Sequence, residues 1–398
     1  MEPTTETPPP KPHPKRKVFL WGMTGLFLLI ALALFLFWFI WGRFYEYTND
    51  AYVSGNLVYV TPQVSGIVTS IYIDDTQLVD QGHLLIELDK TDFYIALEKS
   101  KAHLANEIRS VAKLFLEEKQ ALALIEVAKA ELTTCSQDFE RRTSLVDTGG
   151  VSNEDFDHAR NKLTAAIFTL AAAEATHDSF LVQIDKTSII NHPRVQKAEE
   201  ELKYAWIELK RTTLKAPASG LIAERTVQVG QRVKAGEPLF AIIPLDQMWV
   251  DANFKEVQIG KMQIGQPVSL YSDVYGHSVE YHGHIQGIGG GTGSVFSVLP
   301  PQNATGNWIK IVQRVPIRIS IDPQEIIHSP LRLGLSMEAT VDIHSTEASS
   351  IPHILPIHPI YQTEIFSKEE EGVQAIIEKI FKENLPSPEI PLKELESP

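Results

Sequence analysis

The sequence predicts a membrane-anchored chain of mixed α and β structure, in which a long helical hairpin interrupts a small β-sandwich and a small β-barrel follows. Three observations predict this arrangement. An uncharged run lies near the N-terminus, one β-pattern occurs twice, and a long segment with helical spacing separates the two copies. Two half-size β-motifs far apart in sequence can form one sandwich only if the chain between them leaves and returns.

The uncharged run is long enough to cross a membrane. It covers residues 18–41, which contain no Asp, Glu, Lys or Arg and would form about 36 Å of helix. Trp21 at one end and Trp38 and Trp41 at the other suit the two membrane–water interfaces. A cleaved signal peptide is the alternative, but its apolar core is usually shorter, about 7–15 residues. The segment is therefore predicted to be a single-pass anchor.

The residues before the anchor predict its orientation. Residues 1–17 are Pro-rich and polar, so we expect a disordered tail. This tail is basic because it contains Lys11, Lys15, Arg16 and Lys17. Basic segments that flank a membrane span stay on the cytoplasmic side. Everything after the span is then expected outside the cytoplasm, beginning with a linker and lead-in strand at 42–56.

Composition excludes several classes of function. The 398 residues carry a formal net charge of −14, which argues against nucleic acid as a partner. Cys135 is the only cysteine, so an internal disulfide, a cysteine-based metal cluster and an N-terminal lipid-anchored cysteine are all excluded. No nucleophile, base and orienting group converge in the sequence, and we expect no enzyme.

The duplicated β-pattern lies at residues 57–90 and 214–245. A Ser-Gly pair and a later glycine recur in both copies with the same spacing (Gly66 and Gly82, Gly220 and Gly236). Each copy predicts about four short strands, and together they are similar to a lipoyl-like sandwich. A true lipoyl or biotinyl carrier presents a lysine at a hairpin tip, and neither copy does. We therefore expect a split lipoyl-like domain without a cofactor.

Residues 91–213 predict an antiparallel coiled coil of two arms. The first arm has apolar residues at helical spacing: Leu97, Leu104, Ile108, Val111, Phe115, Leu122, Ile125, Ala128, Leu132, Cys135 and Phe139. The second arm alternates steps of three and four, which is a heptad seam: Phe156, Ala159, Leu163, Ala166, Leu170, Ala173, His177, Phe180 and Ile184. Pro193 must break or kink this arm. The arms predict a rod about 85 Å long.

The turn of the hairpin, at about 141–155, carries a candidate contact site. Two consecutive glycines are expected to end the first arm, and Ser152 to cap the second. Arg141 and Leu145 lie four residues apart, on one helix face outside the seam. Capping alone explains Ser152. The three residues together favour contact with a partner.

In residues 246–345 apolar and polar residues alternate, and glycines interrupt the pattern at intervals. This pattern predicts a small β-barrel. The stretch GIGGGTG at 287–293 does not match a nucleotide-binding glycine motif. We expect it to form a flexible loop at the barrel mouth that faces a partner. The residues expected to face that partner are Gly289, Gly290, Gly291, Gly293 and Phe296.

The remaining features are weaker. His277, His282 and His284 lack acidic or cysteine partners at ligand spacing, so no metal is expected. Residues 346–398 form a Pro-rich tail with an amphipathic helix at about 368–385. Its apolar face should pack on the barrel of the same chain, or on a neighbouring copy or a membrane transporter.

Three stretches carry a resemblance to a known family: TNDAYVSGN (48–56), MWVDANFKEVQIGKMQIGQPVSL (248–270) and GIGGGTGSVFSVLPPQNATGNWIKIVQRVPIRI (287–319). With the split lipoyl-like motif, they resemble the EmrA type of membrane fusion protein, in the HlyD superfamily of periplasmic adaptors. The spacing of Arg141, Leu145 and Ser152 is similar to the hairpin-tip motif by which such adaptors engage a TolC-type outer-membrane channel.

This resemblance implies a periplasmic adaptor of a tripartite multidrug efflux pump. Such a protein is anchored in the inner membrane of a Gram-negative bacterium and links a drug/proton antiporter of the major facilitator superfamily to the outer-membrane channel. The barrel would face the pump, and several copies would form a ring whose hairpins enclose a conduit. Two alternatives stay open: a type I secretion adaptor for an ABC transporter, and a periplasmic protein that binds small molecules itself.

Overall fold

The computed structural model describes residues 14–40, 42–147, 149–184, 186–293, 295, 312–345 and 357–386. The first helix, α1 (Pro14–Ile40), is long and apolar enough to cross a membrane, and its side chains from residue 18 to residue 40 are all exposed. Most of the expected N-terminal tail lies outside the described residues. The other helices are α2 (Thr91–Val146), α3 (Asn153–Ile184), α4 (Pro193–Arg211), α5 (Glu256–Ile259), α6 (Pro323–His328) and α7 (Val373–Asn384).

The strands of the described chain form one closed barrel and two four-stranded sheets. In chain order they are β1 (Tyr45–Gly55), β2 (Val58–Val60), β3 (Gly66–Ile71), β4 (Leu78–Val79), β5 (Leu84–Leu88), β6 (Thr213–Lys215), β7 (Gly220–Ala223), β8 (Arg232–Val233), β9 (Phe240–Ile243), β10 (Met248–Lys255), β11 (Pro267–Ser272), β12 (Glu280–Ile288), β13 (Arg314–Ser320) and β14 (Ser336–Asp342).

The barrel has the strand order β1-β10-β13-β12-β11-β14 and closes on itself. Its first strand comes from the segment expected to be a linker with a lead-in strand. Ala51 of β1 pairs with Ala252 of β10 and also with Met337 of β14, so β1 closes the barrel between two strands that follow it by about 200 residues or more. Alternate side chains of these strands point inward and form one apolar core.

The two remaining sheets form the expected split sandwich, with the orders β2-β9-β7-β4 and β6-β5-β3-β8. Each sheet contains strands from both copies of the β-pattern. The pairing is reciprocal: Gly66 of the first copy lies opposite Val233, and Gly220 of the second copy lies opposite Val79. The duplicated pattern therefore builds an internal two-fold arrangement, and neither half has a complete core alone.

The turns of the sandwich repeat the same arrangement. Gly82 and Gly236, which are equivalent in the two copies, both have a left-handed backbone, with φ values of 85° and 81°. Each donates its N–H to the carbonyl of an equivalent residue in the other copy, Ala216 and Pro62 respectively. A side chain at either glycine would strain the turn, which explains why both copies retain it.

The long insertion forms the predicted hairpin, with α2 as the outgoing arm and α3 and α4 as the returning arm. All nine predicted seam residues of α3 are buried or half-buried, so the heptad prediction for this arm is confirmed. In α2 the prediction of Leu122 was wrong, because Leu122 is 46% exposed while Ala121 is buried. The true seam passes through Glu118, whose Oε1 lies 2.9 Å from His177 Nε2. The hydrogen bond to His177 offsets the cost of half-burying the carboxylate of Glu118 in the seam.

The break in the returning arm is confirmed, and it is longer than the sequence indicated. Helix α3 ends at Ile184 and α4 begins at Pro193. His192 is buried and caps α4: its Nδ1 accepts the N–H of Arg194 at 3.2 Å, while its Nε2 lies 3.0 Å from the carbonyl oxygen of Gln183. One side chain thus connects the end of one helix to the start of the next.

Helix α7 packs on the root of the hairpin, against α2 and α4. Its buried residues Val373, Ile377 and Ile380 belong to the same apolar cluster as Leu104 and Leu202. The expectation that it packs on the barrel was wrong, because its apolar face is buried against α2 and α4 at the root of the hairpin. An ion pair between Arg211 and Glu369, four residues before α7, and a hydrogen bond from Arg109 to Asn384, its last residue, flank this packing.

Candidate functional site at the hairpin tip and the barrel loop

The outgoing arm ends in a glycine-dependent turn. Gly149 has a φ of 75° and donates its N–H to the carbonyl of Val146, and Gly150 donates its N–H to the carbonyl of Leu145. This pair of bonds is the Schellman arrangement, which satisfies the last carbonyls of a helix and requires a residue that tolerates positive φ. The predicted glycine terminus therefore fixes where Leu145 stands.

The returning arm begins with the predicted cap. The hydroxyl of Ser152 accepts the N–H of Asp155 at 3.1 Å and donates to its carboxylate at 2.7 Å. The first bond is the N-cap bond of α3, whereas in the second the carboxylate of Asp155 accepts the hydroxyl of Ser152 and not its backbone N–H, as a capping box would require. A guanidinium nitrogen of Arg142 donates to the carbonyl of Asp155 at 3.0 Å, which ties the end of α2 to the start of α3.

Arg141 and Leu145 lie one turn apart in the last turns of α2. The side chain of Arg141 is 72% exposed and its guanidinium reaches Asp138 at 3.5 Å, whereas Leu145 is 47% exposed. The structure places Ser152 on the other side of the turn, where its hydroxyl is engaged in capping. The tip thus presents a cation and an apolar side chain on a rigid, capped end.

The barrel loop begins where strand β12 ends. Gly289 donates its N–H to the carbonyl of Pro316 at 2.8 Å, and a Cβ at Gly289 would lie 2.8 Å from that oxygen. Glycine is therefore required there by close backbone packing. Gly290 has open space around it, and Gly293 donates to the carbonyl of Arg314. Gly291 is half-buried between these residues, and Phe296 lies outside the described residues.

An ion pair at the base of this loop was missed by sequence reasoning. Arg314, the first residue of β13, donates to the carboxylate of Asp50 at 2.8 Å, and the side-chain amide of Asn253 donates to the same carboxylate at 3.3 Å. These three residues connect neighbouring strands β1, β10 and β13. The available signal was that Asp50 and Asn253 fall in two of the family-like stretches, TNDAYVSGN and MWVDANFK.

Two of the barrel histidines named above, His282 and His277, have protein partners. His282 Nδ1 lies 2.8 Å from Glu325 Oε1, and this hydrogen bond raises the pKa of His282. His277 packs edge-on against the ring of Tyr271. Within the described part of the chain, no cluster of three or more His, Cys, Asp or Glu side chains has the arrangement of a metal site.

The anchor residues lie where the sequence places them along α1. Trp21 and Trp38 are 78% and 57% exposed, and Trp41 lies outside the described residues. At the end nearest the barrel, the ring of Phe44 stacks on His344 at 4.2 Å, and the guanidinium of Arg43 lies over the same phenyl ring. The segment after α1 is thus held directly against the barrel.

Comparisons with known proteins agree with this architecture. A family model described as "EMRA, alpha-helical hairpin domain" matches residues 91–212. The chain is 40% identical to the probable multidrug resistance protein EmrK of Escherichia coli K12, over 94% of this chain and 97% of the relative. It is also 40% identical to the multidrug export protein EmrA of the same strain, over 96% and 98%.

A solved structure of a periplasmic adaptor protein EmrA is also similar. It is 21% identical, with a TM-score of 0.37, and the match covers 75% of this chain and 99% of that one. The identity to the two Escherichia coli proteins extends over nearly the full length of both partners, and the helical-hairpin match coincides with the observed insertion between the two halves of the sandwich. The chain therefore belongs to the EmrA family of multidrug-efflux membrane fusion proteins, which are adaptors.

Proposed function

We propose that this protein is the periplasmic adaptor of a tripartite efflux pump and has no catalytic role. It would link a drug/proton antiporter of the major facilitator superfamily, in the inner membrane, to a TolC-type channel in the outer membrane. The observation that carries this proposal is the capped hairpin, which places Arg141 and Leu145 at the far end of a long rod. Helix α2 alone has 56 residues, which at about 1.5 Å per residue gives roughly 84 Å of reach.

The two ends of the molecule suit two different partners. Helix α1 would anchor the chain in the inner membrane with its N-terminus in the cytoplasm, and the bulk of the chain would lie in the periplasm. The contacts of Phe44 with the barrel would keep the barrel next to that membrane. The barrel loop from Gly289 to Gly293 would then meet the transporter, while the tip would meet the channel.

The alternative of a drug-binding protein has less support. A groove of about 590 Å³ lies between α2 and α4, but Lys99, His103, Glu201 and Tyr204 are among its lining residues. Pockets for drug-sized molecules are mostly apolar and enclosed. The two relatives are named for multidrug resistance and multidrug export, which favours efflux over type I secretion as the process served.

The tip can be tested by substitution. Leu145→Ser removes the apolar contact and Arg141→Asp reverses the charge, while neither side chain belongs to the seam. We expect both variants to insert in the membrane and to keep the thermal transition of the unaltered protein. Drug resistance of cells and cross-linking to the channel should both be lost.

Leu122→Ser is the matched control for Leu145→Ser. Leu122 is 46% exposed, close to the value for Leu145, but it lies well below the tip. We expect this control variant to keep full resistance. Full resistance and full channel cross-linking in both tip variants would contradict the proposed contact.

A further inference from the structure

Helix α2 carries a second row of uncharged residues on the side away from the seam. Its members alternate steps of four and three, and all are exposed: Leu116, Gln120, Ala123, Val127, Ala130 and Thr134. The outer face of a two-helix coil is usually charged, because it meets water. Here Val127 is 67% exposed, with no neighbour in the described chain to cover it. We call this row the α2 outer stripe.

Helix α3 carries the counterpart, which we call the α3 outer stripe. Its exposed and uncharged members are Asn161, Ala165, Phe168, Ala172, Ala175 and Ser179. Phe168 is 69% exposed. The hydroxyls of Thr134 and Ser179 donate to carbonyls of their own helices, so these two side chains do not need water as a hydrogen-bond acceptor. Both edges of the hairpin are thus suited to packing against another helix.

The two outer stripes match in height along the rod. Two contacts across the seam set the scale: Glu118 with His177, and Phe139 with Phe156. In each pair the two residue numbers add up to 295, so residues at equal height on the two arms have numbers with this sum. The numbers of Val127 and Phe168 add up to 295. Every other residue of the α2 outer stripe likewise has a residue of the α3 outer stripe at equal height.

The matched levels are complementary in size. Ala123 stands at the height of Ala172, and Ala130 at the height of Ala165, on either side of the level that holds Val127 and Phe168. Small residues on both sides allow two helices to approach closely, and the large pair fills the space between them.

The charges at the tip are complementary as well. Arg141, seven residues beyond Thr134 at the end of the α2 stripe, stands at the height of Glu154, and their side chains are 72% and 85% exposed. Copies anchored by α1 in one membrane stand parallel, and rotation about an axis normal to that membrane leaves heights unchanged. The same sum therefore aligns the α2 edge of one copy with the α3 edge of the next.

We propose that the α2 outer stripe of one copy packs against the α3 outer stripe of a neighbouring copy, with Val127 against Phe168 at its centre. The two surfaces differ, so the contact is heterologous: each copy uses one edge on each side, and repetition closes a ring. This inference rests on the proposed adaptor function, and it assigns the residues by which the copies assemble.

Cysteine cross-linking of the full-length protein in membranes tests the contact directly. In a Cys135→Ser background, the double variant Val127→Cys/Phe168→Cys should form disulfides between copies under mild oxidation. A ladder of dimers and larger species should then appear on a non-reducing gel. Each single variant should stay monomeric, because neither residue faces its own counterpart.

The matched control is Val127→Cys/Val182→Cys. Val182 is also exposed, but it lies fourteen residues along α3 from Phe168, which is about 21 Å in height. We expect no ladder from this pair. A ladder of equal strength in the control, a dimer from Val127→Cys alone, or no ladder from the first pair would each overturn the proposal.

A charge exchange separates this contact from the proposed channel contact. Arg141→Glu and Glu154→Arg should each weaken the cysteine ladder, and the double exchange should restore it. Contact with the channel does not predict this rescue, because the channel would still meet an altered residue 141. These gels need no channel or drug, so the ring contact and the tip contact can fail independently.

Phe168→Glu gives a second measurement. It should shift the detergent-purified protein from oligomer to monomer in size-exclusion chromatography, with an unchanged thermal transition. Ile167→Glu, at the exposed position about 100° around the helix from Phe168 and outside the stripe, should keep the oligomer. An oligomer that survives Phe168→Glu as well as Ile167→Glu would contradict the stripe contact.

Discussion

Glu325 holds strand β12 to helix α6 with both oxygens of its carboxylate. One oxygen accepts the backbone N–H of His282 at 2.7 Å, and the other lies 2.8 Å from Nδ1 of the same imidazole. The second hydrogen bond raises the pKa of His282, because it favours the protonated ring. The protonation of His282 is therefore linked to a contact that joins β12 to α6.

The sign of this coupling is fixed by linkage. A raised pKa in the folded protein means that the contribution is fully present below the unfolded-state pKa and is lost as pH rises through the folded value. The imidazole is largely exposed, so the effect on overall stability should be small. We predict that Glu325→Gln lowers the pKa of His282 toward its ordinary value, as measured by NMR titration of the ring. An unchanged titration curve would contradict this account.

Glu118 and His177 show where residue-level prediction stops. Leu122 was the predicted seam residue in this region, and no seam residue was predicted at 118. In the structure Ala121 is buried instead of Leu122, and His177 supplies the hydrogen bond that the half-buried carboxylate of Glu118 needs. A partner 59 residues away cannot be identified from local periodicity, so this part of the seam was not predictable.

The joint between α3 and α4 is held by the cap at the start of α4 more than by Pro193. Proline at the first position of a helix loses no hydrogen bond, because that N–H has no intrahelical partner. His192 makes the two hydrogen bonds that hold the joint, one to each helix. The sequence predicted the break from Pro193 but gave no sign that the preceding histidine would be the cap.

We predict that His192→Ala destabilises the first turn of α4 by about 1 kcal/mol, the usual cost of a lost N-cap. Amide hydrogen exchange in that turn should accelerate about fivefold, since 1 kcal/mol is a factor of about five in an equilibrium constant. Pro193→Ala is the control and should change exchange less. Equal acceleration by both substitutions would show that the proline, and not the histidine cap, holds the joint.

For strand β1 and helix α7, the sequence pattern predicts the type of element but not the part of the chain against which the element packs. The amphipathic face of α7 predicted burial, and Val373, Ile377 and Ile380 are buried. The surface that covers them was not predictable, because a hydrophobic stripe specifies no partner. For the same reason β1 could be identified as a strand, while its place between β10 and β14 depends on pairing with residues about 200 positions away.

The whole molecule separates the two proposed partner surfaces by the length of the hairpin. The apolar helix α1 and the barrel loop are expected at one end, and the capped turn with Leu145 stands at the other. The duplicated sandwich lies between them, and its reciprocal pairing fixes both roots of the hairpin in one rigid unit. A mechanical link of this kind needs no catalytic residue, only stiffness and two specific ends.

Site-specific photo-cross-linking in intact cells tests this bridging role most directly. A photoreactive amino acid would replace Leu145 at the tip or Gly290 in the barrel loop, where the space around the glycine admits a side chain. A probe at Lys119, on the middle of the rod, serves as the control. We predict that the tip probe captures an outer-membrane channel, the loop probe captures an inner-membrane transporter with many spans, and the control captures neither. Capture of one and the same membrane protein by the tip and loop probes, or no outer-membrane product from the tip, would contradict the central claim.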